Sequence, residues 1–223
     1  QVVAGLKQRG ITLAHTEAFK KPKELLIAAR RFAKEGRPFV FLGGGDGTFS
    51  GTAEAFSRSQ SVIGVLPLGT GNAFARDLSI PTDVDAACDV IAEGNIEQVD
   101  MGLAGTRPFI NVATVGLTAQ IARNLNSEEK RILGPAAYAL SLFRSLAKIR
   151  PFDVELTMNE ETRAFRSLQV VVGNGRFHAG PFLIAPDAEI ASGELVAYGM
   201  ASTNRADFLR LGLALMMGKQ LEL

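Results

Sequence analysis

The chain has 223 residues, which at about 150 residues per domain allows one or two domains. Lys plus Arg number 24 against 23 Asp plus Glu, a net charge of +1 that excludes the overall basic bias of a nucleic-acid coat. At 47% hydrophobic and 21% charged residues, the chain is globular rather than disordered.

The single cysteine, Cys88, excludes an internal disulfide framework and suits a reducing compartment. It reads as a small buried residue of a helix. Two histidines leave too few ligands for a His/Cys zinc site. No secretory signal opens the chain. The longest uncharged run, Ser59 to Ala75, is broken by Gly64, Pro67, Gly69 and Gly71, so no segment spans a bilayer. These features predict a soluble protein.

In chain order, residues 1–9 read as a helix stopped at Gly10, and Ile11 to His15 as a short strand. Lys23 to Lys34 is a predicted helix with a broad apolar side and Gly36 as its stop. Pro38 to Leu42 and Ser61 to Leu66 are continuous apolar runs, the signature of parallel strands buried on both faces. Helices are predicted over 47–57 and over Asp83 to Glu93, the latter stopped by Gly94. Strand-helix alternation at this spacing means a doubly wound α/β layer.

Near residue 98 the pattern changes. Strands are predicted over Glu97 to Leu103, Phe109 to Val115, Phe152 to Met158, Thr162 to Val172 and Glu194 to Met200, with one helix at about Pro135 to Lys148. Asn159-Glu160 is a hairpin turn signal between two of them. The predicted fold is α/β: a Rossmann-like three-layer parallel domain over 1–97, followed by an antiparallel β-rich, sandwich-like domain over 98–223. Gln1 to Arg9 reads as mid-helix and Leu209 to Leu223 as a helix cut short, so a fragment is expected.

Two segments carry chemistry. Leu42-Gly-Gly-Gly-Asp-Gly-Thr48 follows a buried strand and opens a helix. Glycines there let backbone N–H groups turn toward a polyanion, and the helix adds its positive end. Asp46 places a carboxylate where it could hold Mg²⁺ through water, or a ribose hydroxyl. Thr48 could cap the helix or donate to a phosphate. A sharp turn alone needs fewer glycines and no Asp. No Gly-Lys-Ser/Thr follows, so this is not a P-loop. Leu66-Pro-Leu-Gly-Thr-Gly-Asn-Ala-Phe-Ala-Arg-Asp77 ends the next buried strand, on the same rim of the sheet, where ligands bind. Gly69, Thr70, Gly71 and Asn72 supply donors and a hydroxyl. Arg76 and Asp77 follow, as an exposed ion pair if the segment is only a capped helix.

Gly-Gly-Gly-Asp-Gly-Thr, followed about twenty residues later by Pro-Leu-Gly-Thr-Gly-Asn-Ala-Phe-Ala-Arg, resembles the diacylglycerol kinase catalytic-domain family, which includes bacterial lipid kinases and sphingosine and ceramide kinases. NAD kinases and 6-phosphofructokinases carry similar Gly-Gly-Asp-Gly-Thr cores, and the second motif separates the lipid kinases from them. Asp100-Met-Gly, Phe109-Ile-Asn-Val-Ala and Gly116 look like the start of that family's second domain. Gly173-Asn-Gly-Arg, with Ala-Gly-Pro and Ala185-Pro-Asp-Ala, looks like its later β-rich signature. The resemblance covers nearly the whole chain.

It implies an ATP-dependent kinase acting on a lipid hydroxyl, of diacylglycerol or a related lipid, with Mg²⁺, and with nucleotide and lipid meeting between two domains. The implied nucleotide site is Thr16, Gly44, Gly45, Asp46, Gly47, Thr48, Phe49, Ser50, Gly51, Gly69, Thr70, Gly71 and Asn72. A structural Mg²⁺ loop would fall on Glu189, Ser192 and Glu194, but Ser192-Gly193 stands where relatives often have Asp-Gly, and a hydroxyl is a poor replacement for a carboxylate. Ser50-Gly51 and Asn72-Ala73 also depart from common family residues. The family's catalytic base lies in an Asp-Gly-Glu stretch that residues 1–223 lack, so no catalytic residue is assigned and the chain as given is expected to be silent toward lipid.

Weaker features remain. Lys20, Lys21, Lys23, Arg30, Arg31, Lys34 and Arg37 form a basic cluster that could meet anionic lipid and otherwise reads as a solvated helix face. The helix around Ile132 to Ile149 is apolar on one side, fit to pack on the β unit or touch a lipid tail. His178 reads as a loop histidine. The expected setting is cytoplasmic, with peripheral membrane contact, no nucleic acid and no transmembrane segment; a homodimer is compatible with it. A soluble-substrate NAD or sugar kinase and a non-catalytic nucleotide- or lipid-binding relative are the alternatives.

Overall fold

The computed structural model describes residues 1–124, 144–179, 182–183, 185, 188–199, 202–208 and 210. They fall into two compact units that are not consecutive stretches of chain: residues 1–113 with 172–196, and residues 114–171 with 197–223.

The first unit is built on a parallel pair, β1 (Phe39–Gly44) and β2 (Val62–Pro67), in register Phe39 to Val62 through Gly44 to Pro67. Alternation along these strands sends their side chains to two faces. On one face Leu42 and Val65 join Ala29 of α2 (Pro22–Lys34), and Phe49, Ala53 and Phe56 of α3 (Asp46–Phe56), in the main core. On the other, Leu66 packs with Leu6 of α1 (Val2–Gln8) and Cys88 of α5 (Val84–Glu93), Phe41 flanking them. Helices on both faces make three layers, as expected of a parallel sheet. Cys88 is buried, as its helical position predicted.

Ile11 to His15 form no strand. Ile11 and Leu13 instead pack on the Leu6–Cys88 cluster, so their alternation serves helix contacts rather than a ladder. The helix over 84–93 is capped by Asp83, whose carboxylate accepts the amides of Asp85 and Ala86, both at 3.0 Å, and it ends at the left-handed Gly94. The short helix α4 (Ala73–Asp77) follows β2. The strand expected over Glu97 to Leu103 shrinks to β3 (Gly102–Ala104), which turns at Gly105 into β4 (Arg107–Phe109). Residues 172–196 return to this unit. There Asn174 is buried and its side-chain amide donates to the carbonyls of Asp100 at 2.7 Å and Ile110 at 2.8 Å.

In the second unit, β6 (Phe152–Met158) and β7 (Glu161–Ser167) form the expected hairpin, with Asn159 and Glu160 at φ +48° and +70°. Positive φ at both central residues matches the right-handed strand twist. The strand expected over Thr162 to Val172 breaks at Leu168 into β7 and β8 (Gln169–Gly173). The Ser167 hydroxyl donates to the Gln169 carbonyl and accepts the Gln169 amide, a local turn that removes these groups from the ladder. Strand β5 (Val112–Gly116) runs straight into α6 (Leu117–Asn124), a helix the strand-rich reading did not foresee. Leu117, Leu146, Ile149, Leu168 and Phe208 make this unit's core. Short strands β9 (Phe177–Ala179) and β10 (Phe182–Leu183), which belong to the first unit, and β11 (Val196–Gly199) complete the described set, and β11, β8 and β5 are neighbours in one sheet. Of the helix expected over Pro135 to Lys148, residues 144–148 are helical and the rest lies outside the described residues, as do nearly all of 209–223.

Candidate functional site

The two glycine turns lie at the C-terminal ends of adjacent parallel strands, which brings them side by side. Gly45 and Gly69 touch through their backbones: a Cβ on Gly69 would sit 2.4 Å from the Gly45 Cα, and one on Gly45 would sit 3.0 Å from the Gly69 Cα. Gly69 has no room for a side chain, and a Cβ on Gly45 would make a tight contact. Gly44 is covered by Thr48, which a Cβ would meet at 2.2 Å. Gly47 is the exception, with nothing within 4 Å of an added Cβ.

Gly45, not Thr48, is the N-cap of α3, and Asp46 is its first helical residue. Thr48 lies inside the first turn, its amide donating to the Gly45 carbonyl at 2.8 Å. The Asp46 carboxylate accepts the Phe74 amide at 3.1 Å. A carboxylate of the first turn thereby caps the helix after the second turn. One negative charge serves two positive helix starts.

The second turn closes on itself. Asn72 adopts the left-handed conformation at φ +51°. Its Oδ1 accepts the Gly69 amide and its Nδ2 donates to the Gly69 carbonyl, both at 2.9 Å. Asn72 is buried, so its amide shapes the turn and is spent there. Thr70 is exposed beside it. The exposed Arg76–Asp77 pair that a merely capped helix would show does not form. Arg76 turns back to the Gly71 carbonyl at 3.1 Å, and the Asp77 side chain is buried.

Asp77 accepts the amides of Arg176 at 2.7 Å and Phe177 at 3.3 Å, fastening α4 to the Asn174–Phe177 segment. Gly175 is required there, because a Cβ would meet the Asp77 carboxylate at 2.3 Å. Burial pushes the Asp77 pKa up, opposed by these two amides, by the Arg176 charge and by the nearby Asn111 side chain. Asp77 Oδ2, both polar atoms of the Asn111 side chain and Asn174 Oδ1 are buried without an aligned hydrogen-bond partner among the described residues.

A cavity of about 470 Å³ opens on the first turn. Gly43, Gly45, Gly47 and Thr48 form one wall, and Phe19, Lys20, Lys21, Pro22, Leu25 and Leu26 the other. Sequence reasoning placed the two lysines on a lipid-facing or solvated surface. Their position just after Thr16, in the loop that the family resemblance ties to nucleotide, was the available signal.

The structure thus gathers Gly44, Gly45, Asp46, Gly47, Thr48, Gly69, Thr70, Gly71 and Asn72 at one rim. Phe49 is core, packed on Phe74 with ring centroids 5.3 Å apart. Ser50 is exposed and Gly51 faces Leu26, 3.1 Å from where its Cβ would be, so it serves helix packing. Thr16 is exposed and does not line the cavity. The side chain of His178 and all of Asp187 lie outside the described residues.

The expected metal loop is held by other means. The Ser192 hydroxyl donates to the Glu189 carbonyl at 2.8 Å and accepts the Glu194 amide at 3.3 Å, while the Gly193 amide donates to Asp100 Oδ2 at 2.6 Å. Glu189 and Glu194 are exposed, and no cluster of three His, Cys, Asp or Glu occurs among the described residues. This donor set does not fit a resident Mg²⁺. No helix among the described residues is long and apolar enough to cross a membrane.

The family model described as "Diacylglycerol kinase catalytic domain" matches residues 1–104, and "YegS C-terminal NAD kinase beta sandwich-like domain" matches residues 111–223. The chain is 31% identical over 194 residues to a diacylglycerol kinase of Staphylococcus saprophyticus, covering 85% of this chain and 63% of that protein. It is 32% identical over 194 residues to one of Staphylococcus aureus, covering 85% of this chain and 61% of the relative. It therefore spans about three-fifths of the length of these relatives. A crystal structure of a diacylglycerol kinase from Bacillus anthracis superposes with a TM-score of 0.69 at 25% identity, over 93% of this chain and 67% of that one. Matched in both halves, the chain belongs to the diacylglycerol kinase catalytic-domain family, in its YegS-like form.

Proposed function

We propose that the chain is the nucleotide-binding and β-sandwich part of an ATP-dependent lipid kinase that phosphorylates a hydroxyl of diacylglycerol or a related lipid at the membrane surface. The observation that carries this reading is the contact of Gly45 with Gly69. It joins two strand-end turns into one polar rim, with α3 opening beside it and Asp46 shared between them. Amides at a helix start, with no side chain over Gly47, suit a polyphosphate. With nucleotide bound, Asp46 is the residue that would help hold its Mg²⁺, which would neutralise phosphate charge, and Thr70 would donate to a phosphate.

Phosphoryl transfer asks little covalent chemistry of a protein. It needs the γ-phosphate held in line and its charge neutralised. The rim supplies the holding; the general base is not assigned to any residue of 1–223. The names of the relatives support a lipid acceptor over NAD.

Two experiments test the reading. ATP with Mg²⁺ should shift the Gly45 and Thr70 amide resonances, and undisturbed amides at saturating nucleotide would refute the site. The intact gene product should transfer radiolabelled phosphate from ATP to diacylglycerol in mixed micelles. Transfer to NAD, with none to lipid, would select the soluble-substrate alternative.

A further inference from the structure

The basic residues between positions 20 and 37 do not act as one surface. Arg30 pairs with Glu54 at 3.3 Å, Arg37 with Glu35 at 2.9 Å, and Arg31 with Glu17. These are exposed pairs of a solvated face. Lys20 and Lys21 differ. They line the cavity over the first glycine turn, opposite Gly43, Gly45, Gly47 and Thr48. Lys21 keeps only a loose exposed pair with Glu24 at 3.8 Å, and Lys20 has no carboxylate within pairing distance among the described residues. The residues lining the cavity include these two lysines and no Asp or Glu.

The opposite wall is positive as well. The first amides of a helix lack intrahelical acceptors, and in α3 these belong to Asp46 and Gly47. The absent Gly47 side chain leaves their approach open. Lysine acts on phosphate as a mobile point charge, which suits a chain of phosphates rather than one fixed oxygen pair.

We propose that Lys20 and Lys21 are the cations that hold the polyphosphate of a nucleoside triphosphate against the Gly45–Thr48 turn, and that the loop carrying them sets the preference for phosphate-chain length. The proposal rests on the nucleotide reading above and adds the residues that grade ATP over ADP and AMP.

The test is titration of residues 1–223, as wild type, K20Q/K21Q and K20R/K21R, with ATP, ADP, AMP, adenosine and inorganic tripolyphosphate. Both lysines are exposed, so the variants should keep the wild-type melting temperature. K20Q/K21Q should bind ATP and tripolyphosphate about 10-fold or more weakly, ADP less so, and adenosine within about twofold. K20R/K21R should recover most of the loss, and added salt should shrink the difference. Wild-type ATP affinity in K20Q/K21Q would overturn the lysine role and leave the nucleotide site standing. Equal weakening of adenosine would overturn it too, since the loop would then act by shape rather than charge. No ATP binding by the wild type would defeat the nucleotide reading and this inference together.

Discussion

The Asp46 carboxylate accepts the Phe74 amide at 3.1 Å, a bond between residues 28 positions apart that joins the starts of α3 and α4. The carboxylate therefore has a structural duty besides any chemical one, and two substitutions separate them. Asn keeps an Oδ1 acceptor for Phe74 and removes the charge; Ala removes both. Asp46→Asn should fold normally and, in the intact gene product, lose about 10- to 100-fold in turnover, the worth of one charge-assisted contact of roughly 1.5–3 kcal/mol. Asp46→Ala should in addition lose about 1–3 kcal/mol of stability in urea unfolding, because a buried amide is left without an acceptor. Normal kcat in Asp46→Asn would reduce Asp46 to a cap.

Gly69 and Gly47 make an opposed pair. Gly69→Ala drives a Cβ to 2.4 Å from the Gly45 Cα, where backbone must move. It should cost about 1–3 kcal/mol, as overpacking does, and weaken ATP binding with it. Gly47→Ala meets nothing within 4 Å and sits in the first turn of α3. It should leave stability unchanged or raise it by up to about 1 kcal/mol, since Ala is the better helix former. Its methyl group still projects where phosphate is expected, so ATP affinity should fall without any loss of fold. Calorimetry of both variants, with and without nucleotide, reads the two effects apart.

Asp77 predicts a pH dependence. Its folded-state pKa is raised above the ordinary 3.8, chiefly by burial. A group raised on folding binds its proton more tightly in the folded state, so protonation favours folding. The cost of the buried charge is present in full above the raised pKa and disappears as pH falls through it toward 3.8. Asp77→Asn cannot ionise and lacks this slope. Wild-type stability should therefore improve relative to Asp77→Asn as pH is lowered from 7, measured by unfolding at each pH. The opposite trend would mean that the Arg176 charge and the two amides outweigh burial. Asp77→Ala should be the poorest variant at every pH, because it frees the Arg176 and Phe177 amides together.

Much of this was legible in the sequence because it is local. Asp83 and Gly94 bracket their helix as cap residues do, and Asn159-Glu160 takes the positive φ values its position demands. The two glycine turns follow apolar strands at a spacing that puts them on one rim. What escaped notice depends on distant partners. Asp77 looked like a surface charge until Arg176, 99 residues on, was seen to cover it. The α6 helix was hidden because its cap is not local: Gly116, at φ +104°, turns the chain from strand to helix, and the Thr118 amide is taken at 2.8 Å by the Gln169 side-chain oxygen, 51 residues on. Lys20 and Lys21 belonged to a basic run by composition, and only the packing of α2 against α3 separates them from it.

The turn over residues 189–194 provides the last prediction. Relatives that carry Asp-Gly at this point are expected to use the carboxylate for a cation. In this chain Ser192 bridges Glu189 and Glu194, and Asp100 accepts the Gly193 amide, so hydrogen bonds do the closing. A resident cation held a hundredfold above its Kd would add about 2.7 kcal/mol to folding. The wild-type chain should show no such gain: its melting temperature in excess chelator should match that in millimolar Mg²⁺. Ser192→Asp should reverse this. A carboxylate there loses the hydroxyl bridge and faces the Asp100 charge, so the variant should be destabilised in chelator by like-charge repulsion and recover when Mg²⁺ is added. Ser192→Ala, which loses the bridge without gaining a charge, should be destabilised by about 0.5–1.5 kcal/mol regardless of metal. A wild-type melting temperature that rises with Mg²⁺, and stops doing so in Ser192→Ala, would show that the hydroxyl is a metal ligand after all.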